Sequence, residues 1–143
     1  MRTIAAILLI LLCTDASQGQ KPKPKSKHLP KPDVTVTAEE LQKDYADNEI
    51  AADRKYRLKT LEVRGKIKEI GRVPMSSSAY LAFETEGELI VLAHFLKENE
   101  DLVVKVKRGD TVAVIGYGAG ITREKKIYVS RCCALKKVKE RKD

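Results

Sequence analysis

The sequence predicts one mainly β domain, a five-stranded Greek-key barrel with a leading amphipathic α-helix and a short helix between strands three and four. Three observations predict it. A stretch with helical spacing begins at Thr37, five short glycine-bent strands follow between Leu61 and Leu135, and a charged, irregular segment separates the third strand from the fourth. A chain of 143 residues is long enough for one such domain rather than two.

The leading helix begins at Thr37, because Thr37-Ala38-Glu39-Glu40 has the capping-box form in which hydroxyl and carboxylate satisfy the first backbone donors. Apolar residues then recur at helical spacing, with Asn48 in the same stripe: Leu41, Tyr45, Ala52 and Tyr56. The pattern predicts an amphipathic helix of up to five turns that can break near Asn48. Its place on the stripe predicts that Asn48 is a buried, hydrogen-bonded amide.

From Leu61 the apolar period changes to two, which predicts a half-buried strand. The inward positions are Leu61, Val63, Gly65 and Ile67, with Gly65 marking a bulge or bend. After a loop at 71–78, residues 80–85 form a second strand with Leu81 and Phe83 inward and Tyr80 and Ala82 outward. Glu86-Gly87 then turns a hairpin.

The third strand, 88–96, has apolar residues on both parities, so we expect it to be covered on both sides. A short helix around 98–104 follows within a charged segment. The turn Arg108-Gly109-Asp110 leads into a fourth strand at 111–117, and 126–135 forms the fifth. This order of elements, with three strands followed by a short helix and two more strands, is that of an OB-fold.

The formal charge of +8 belongs to the ends of the chain. Residues 21–31 carry five lysines and no acid, and residues 136–143 carry five bases and two acids. Between 33 and 135, 17 bases balance 17 acids. A barrel that follows a phosphate backbone usually carries a basic groove on the fold itself, so composition does not favour nucleic acid as the partner.

The N-terminal residues have the form of a signal peptide, 1–19: Arg2, a nine-residue apolar run at 4–12, and small residues that allow cleavage after Ala16 or Gly19. A Lys/Pro-rich linker (20–33), the OB-fold domain (34–135) and a basic tail (136–143) follow. We therefore expect an exported protein, periplasmic or secreted, with no transmembrane span in its mature form. Lipid attachment at Cys13 is the less favoured alternative, because Leu12 stands where a small residue is needed.

After cleavage two adjacent cysteines remain, Cys132 and Cys133, which are too close together for an ordinary disulfide. Their alternation in a strand predicts that one is buried and the other faces outward. The two histidines of the chain, His28 and His94, are distant in sequence, so no metal site and no cofactor are expected.

Two motifs resemble those of the bacterial tRNA-anti-like family of OB-fold proteins. They are N-E-x-A-A-D-x-x-Y at 48–56, followed by V-x-G-x-I at 63–67, and K-x-G-D-x-V-x-V-x-G at 107–116. A cysteine in the last strand also fits. The resemblance implies an exported bacterial protein, in many members a lipoprotein, and does not itself imply tRNA binding. Within the first motif, we expect Asp53 and Tyr56 to tie the helix to the barrel.

No nucleophile elbow, phosphate loop, dinucleotide fingerprint or zinc-protease helix occurs in the sequence, so a non-enzymatic role is expected. OB barrels commonly bind ligands on the face of strands two and three, where strand parity turns Arg64, Lys66 and Tyr80 outward. We therefore predict a binding module of the cell envelope, engaging a protein or polysaccharide through these residues, with the tails adding weak attachment to anionic surfaces. Single-stranded nucleic-acid binding is the alternative function.

Overall fold

The computed structural model describes residues 29–139. The predicted signal peptide, the linker as far as residue 28 and residues 140–143 lie outside the described residues. The elements, in chain order, are β1 Val34–Thr37, α1 Ala38–Asp47, α2 Glu49–Tyr56, β2 Thr60–Arg72, β3 Ala79–Phe83, β4 Ile90–Phe95, a 3₁₀ turn at Lys97–Asn99, α3 Glu100–Val104, β5 Thr111–Ile121 and β6 Lys126–Lys137.

The strands form a closed barrel. Their order is β1-β2-β3-β4-β6-β5, and β5 returns to pair with β2, so that five strands close on themselves. The β4–β6 pair is parallel, whereas β2–β3, β3–β4, β5–β6 and β2–β5 are antiparallel. The predicted OB-fold, with its leading helix and the short helix between barrel strands three and four, is confirmed.

One strand was not predicted. Residues Val34–Thr37 form β1, which pairs in parallel with β2 and places Val36, 3% exposed, in the core. The segment immediately precedes the helix, and four residues of alternating Val and Thr are too few for a firm prediction. At the other end, β6 continues through Lys137, two residues beyond the predicted domain end at Leu135.

Barrel closure depends on β2, which serves two partners in succession. Residues 60–66 pair with β5 and residues 67–72 pair with β3, with a register shift between Ile67 and Glu69. The sequence predicted a bulge or bend at Gly65, whereas the irregularity in strand pairing begins two residues later, at Ile67. Gly65 is instead a close-packing position, because a Cβ there would lie 2.8 Å from Cδ1 of Phe83.

The helix break falls at Asn48, as the sequence predicted, but the reason differs. Asn48 is exposed, and its Oδ1 accepts a hydrogen bond from the backbone N of Ala51 at 3.0 Å. The prediction of a buried amide is therefore wrong: Asn48 ends α1 and caps the N-terminus of α2. Thr37 caps α1 in the same way, accepting from the backbone N of Glu40.

The core fills the barrel and lies under α1. Its largest fully buried side chains are those of Tyr56, Phe83, Phe95, Leu41, Leu61 and Ile67. Cys132 belongs to this core, where burial raises the pKa of its thiol. Cys133 is half-buried, which matches the predicted alternation.

Candidate ligand-binding groove

The groove with the clearest binding character lies on the outer side of β3, β4 and the first residues of β6. Its volume is about 440 Å³. Its lining residues come from four strands and the β2–β3 loop: Glu69, Arg72, Val73, Pro74, Tyr80, Ala82, Ile90, Leu92, His94, Lys126 and Tyr128. This is the face on which OB barrels commonly bind.

Strand register arranges these side chains in rungs across the sheet. One rung runs Glu69–Ala82–Leu92–Tyr128, and the next runs Gly71–Tyr80–His94. Because neighbouring strands lie about 4.8 Å apart, the floor at Ala82 and Leu92 separates the two tyrosines. The groove therefore has an apolar floor with an aromatic ring on either side of it.

The β4 part of the groove corrects one prediction. Val91, Ala93 and Phe95 are buried inside the barrel; on the outer side Leu92 is also buried, at 9% exposed, whereas Ile90 is 41% exposed. The predicted cover on both sides therefore holds at Leu92 and fails at Ile90. On the outer side they form part of a ligand-sized apolar surface.

Tyr80 lies back over β2. Its ring occupies the space above Gly71, where a Cβ would come within 2.7 Å of the ring and of its hydroxyl oxygen. The hydroxyl donates a hydrogen bond to Oε1 of Glu69 at 2.6 Å. This bond to a carboxylate raises the pKa of Tyr80, so the ring stays neutral and keeps one polar edge at the groove.

The cations around the groove already have partners. Arg72 forms an ion pair with Glu100, Lys126 pairs with Glu124 at 2.8 Å, and Glu69 adds a negative charge within the groove. A face built to follow a phosphate backbone would present cations free to neutralise phosphates. The groove thus combines aromatic and apolar contact with little uncompensated positive charge.

The predicted site residues do not share this groove. Tyr80 lines it, but Arg64 and Lys66 lie on the half of β2 that pairs with β5, opposite Ala113 and Thr111. Arg64 pairs with Glu62 at 2.6 Å, and Lys66 with Glu84 at 3.4 Å. The prediction assigned all three residues to one face, whereas β2 changes its partner from β5 to β3 at Ile67.

Sequence reasoning missed Tyr128, Leu92 and His94 as groove residues. A signal for Tyr128 existed, because Ile127 and Val129 are apolar neighbours that alternation turns inward, leaving Tyr128 outward. Leu92 and His94 were assigned to a covered strand and so were not considered.

Comparison with known proteins places the chain in a family. A family model described as tRNA-anti-like matches residues 2–134. The chain belongs to the tRNA-anti-like family. No curated protein that was compared matches it.

Two solved structures are similar to this tRNA-anti-like protein, and the first of them has a TM-score that indicates a shared fold. One is a candidate nucleic-acid-binding lipoprotein from Klebsiella pneumoniae subsp. pneumoniae, at 18% identity and a TM-score of 0.58, covering 73% of this chain and 91% of its own. Another is the S. pombe Stn1-Ten1 complex, at 12% identity and a TM-score of 0.46, covering 57% of this chain and 59% of its own.

The helical motif of the tRNA-anti-like protein has a structural role. Tyr45 of α1 donates to Oδ1 of Asp53 in α2 at 3.0 Å, and Tyr56 of α2 donates to Oδ2 of Asp44 in α1 at 2.5 Å. The two rings stack with centroids 6.2 Å apart. Burial, followed by the bond to Asp44, raises the pKa of Tyr56 to about 12. The motif residues thus clasp the two helices together.

The same helix end is fixed to the barrel at β5. The backbone N of Leu58 donates to the Gly118 carbonyl at 2.8 Å, and the N of Gly118 donates to the Lys59 carbonyl at 3.0 Å. The side chains of Asp53 and Tyr56, which were expected to tie the helix to the barrel, thus bond to α1 instead, and the hydrogen bonds to the barrel come from Leu58 and Lys59.

Within residues 29–139, no three His, Cys, Asp or Glu side chains come together as a group that could hold a metal ion. Likewise, none of the helices formed by these residues is both long and apolar enough to cross a membrane.

Proposed function

We propose that this tRNA-anti-like protein is a non-catalytic binding module of the cell envelope that holds its ligand in the groove between Tyr80 and Tyr128. The observation that carries the proposal is a concave groove whose floor is formed by the apolar side chains of Ala82 and Leu92, 4% and 9% exposed, with a tyrosine ring on either side. Concave, mainly apolar surfaces with a few placed polar groups are typical of ligand sites. The apolar run and small residues at 4–19 support the proposed export.

A polysaccharide or a protein segment suits the groove better than a phosphate polymer. Tyrosine rings stack on the apolar faces of sugars, while the Glu69 carboxylate and the tyrosine hydroxyls suit hydroxyl groups of a ligand. The cations at the rim, Arg72 and Lys126, are already paired with carboxylates. A neutral polar ligand would therefore give up less hydration free energy on binding in this groove than a phosphate group would.

The direct test is a binding titration of the full chain against soluble cell-wall glycan fragments. Tyr128→Ala should weaken binding by about 1–3 kcal/mol, the usual worth of one aromatic stacking contact, or about five- to a hundredfold. Tyr117→Ala is the matched control, because Tyr117 is 41% exposed on β5 and does not line the groove. Equal effects of the two variants would count against the groove as the site.

Single-stranded nucleic acid is the second candidate ligand. Two outward tyrosines on one OB face can stack bases in succession. A labelled oligonucleotide titrated at several salt concentrations separates two cases. Loss of binding in Tyr128→Ala would favour base stacking in the groove. A steep salt dependence that Tyr128→Ala leaves unchanged would indicate attraction by the Lys-rich ends alone.

Export has its own test. Mass spectrometry of the protein recovered from its source should find a mature N-terminus at Ser17 or Gln20, the residues after the two predicted cleavage sites. A chain that retains Met1 would refute export by this route, and a lipid mass on Cys13 would establish the lipoprotein alternative.

A further inference from the structure

A second surface lies on the outer side of β5 and differs in character from the ligand groove. It consists of two grooves of about 330 and 430 Å³ along β5: Ala113 and Ile115 line the first, and Tyr117, two residues further along the strand, lines the second. We call it the basic face. Its lining residues belong to β2, β5, β6 and the α2–β2 connection, and the ligand groove shares none of them.

Leu58 is the least expected residue of the basic face. Its backbone has φ of 61°, in the left-handed region that a bulky side chain avoids. Its side chain is 86% exposed, so packing does not repay this strain. The hydrogen bond from its N to the Gly118 carbonyl holds the turn in place and projects the side chain outward. Glycine would adopt this conformation more easily, which indicates that the leucine side chain serves contact with something outside the chain.

Other apolar side chains extend this surface. Tyr117 is 41% exposed in the same groove as Leu58, and Val138 is 37% exposed in the neighbouring one. Ile115, between them, is 8% exposed. The face therefore offers a leucine, a tyrosine and a valine along one side of the barrel.

Positive charge surrounds these apolar side chains. Five bases and one acid line the two grooves: Arg57, Arg64, Arg131, Lys136, Lys137 and Glu62. Three of the bases have carboxylate partners, at 3.7 Å for Arg57, 2.6 Å for Arg64 and 3.0 Å for Lys137. Within residues 29–139, no carboxylate lies within ion-pair distance of Arg131 or Lys136.

Both Lys-rich ends join the barrel beside the basic face. Asp33 N donates to the carbonyl of Thr60, whose β5 partner is Tyr117, and Val138 N donates to the carbonyl of Thr111 at the start of β5. Asp33 and Val138 therefore lie at the two ends of this face; in the sequence, residues 21–31 hold five lysines and residues 136–143 carry a net charge of +3.

From these observations we infer that the basic face binds the surface of an anionic lipid bilayer. Leu58 and Tyr117 enter the boundary between headgroups and acyl chains, and Arg131 and Lys136 meet the lipid phosphates. Exposed aliphatic and tyrosine side chains ringed by bases are the composition that interfacial membrane binding requires. A nucleic acid would use the bases but has no place for an exposed leucine. This inference is independent of what the ligand groove binds.

The test is sedimentation of the full chain with vesicles of phosphatidylcholine, with and without about 30% phosphatidylglycerol. We expect binding to the anionic vesicles that weakens as salt rises from about 0.05 to about 0.5 M. Leu58→Gly should lower the partition coefficient about tenfold, the worth of one leucine side chain left unburied. Arg131→Gln with Lys136→Gln should lower it about twentyfold.

Matched control variants distinguish binding through this face from non-specific adsorption of the protein to vesicles. Ile50→Gly removes an aliphatic side chain that is 71% exposed on α2, and Lys43→Gln removes an exposed charge on α1. Neither should change vesicle binding. Loss of binding in Leu58→Gly could not be attributed to misfolding. The substitution relieves backbone strain, so the thermal stability of the variant should be equal to or higher than that of the wild type while its vesicle binding falls.

Three results would overturn the inference. One is failure of the full chain to bind the anionic vesicles at low salt. Another is binding that neither the Leu58 nor the Arg131/Lys136 variants weaken, which would assign it to the tails alone. The third is loss of oligonucleotide or acidic-peptide binding in these variants while vesicle binding stays intact, which would give the face a different partner.

Discussion

Gly118 holds the contact on which the junction between helix and barrel depends, and replacing it with alanine tests that contact. The added Cβ would overlap the carbonyl oxygen of Tyr56 and lie 2.9 Å from its carbonyl carbon and 3.2 Å from Cδ1 of Leu61. Heavy atoms essentially never lie within 3.0 Å of a Cβ, and carbon atoms pack best at about 3.5–4.0 Å, so the two backbones must separate by about 1 Å or more. A side chain could rotate away, but a backbone carbonyl cannot.

The cost follows from what that separation disturbs. Overpacking against a rigid neighbour costs about 1–3 kcal/mol. The shift also weakens two backbone hydrogen bonds, Leu58 N to Gly118 O at 2.8 Å and Gly118 N to Lys59 O at 3.0 Å. At about 1 kcal/mol each, these bring the expected loss in free energy of unfolding to about 3–5 kcal/mol.

Urea unfolding of the full chain, followed by far-ultraviolet circular dichroism, measures this loss. With a slope of about 2 kcal/mol/M, the midpoint should fall by about 2 M. Gly109→Ala is the matched control: Gly109 has φ of 88° but open space around the added Cβ, so its cost should be the strain alone, about 1–2 kcal/mol. If Gly118→Ala costs no more than Gly109→Ala, the close approach of helix and barrel is refuted.

Two further predictions concern the titration of single groups. The hydrogen bond from Lys55 is the largest cause that lowers the pKa of Asp44 below 3.8, so Asp44 stabilises the fold above that pH and loses this effect as pH falls through the folded pKa. The urea midpoints of the wild type and Asp44→Asn should therefore differ most near neutral pH and converge in acid. A difference that does not change with pH would contradict this prediction. Gly71→Ala should push the Tyr80 ring off β2 and break its bond to Glu69, so that the Tyr80 pKa falls toward 10.0 at a stability cost below about 1.5 kcal/mol. Ultraviolet titration of tyrosinate, with Tyr80→Phe as the reference that identifies the Tyr80 signal, checks this, and an unchanged pKa would show that the ring does not depend on Gly71.

Local sequence signals predicted most of the fold because each has a local physical cause. The predicted cap at Thr37 is a hydrogen bond within three residues, and inward alternation reports which side of a strand meets the core. What local signals could not give was the partner of each strand. The parallel β1 and the change of partner along β2 at Ile67 are decided by contacts between residues distant in sequence.

The candidate site was predicted less well for the same reason. Strand parity correctly turned Tyr80 outward, but parity cannot say which outward residues share a groove. Arg64 on β2 and Tyr80 on β3 both point outward from the barrel, yet they line different grooves. The reason is that the half of β2 with Arg64 pairs with β5, and only the other half pairs with β3. On β4 the apolar pattern correctly indicated that Leu92 is buried on the outer side, but it did not indicate the exposure of Ile90 at the start of the strand.

The distribution of charge on the folded chain differs between the ligand groove and the basic face. A neutral composition over 33–135 concealed an uneven arrangement: the ligand groove is lined by two bases, both paired, and one acid, whereas the basic face carries five bases and one acid. Since no residue lines both surfaces, substitutions at Tyr128 and at Leu58 should act independently and add within about 0.5 kcal/mol in a double variant. The double variant Tyr128→Ala/Leu58→Gly could instead lose more binding free energy, in either binding assay, than the sum of the losses in the two single variants. That result would show that the two surfaces are one site, and the separate roles assigned to them would then be wrong.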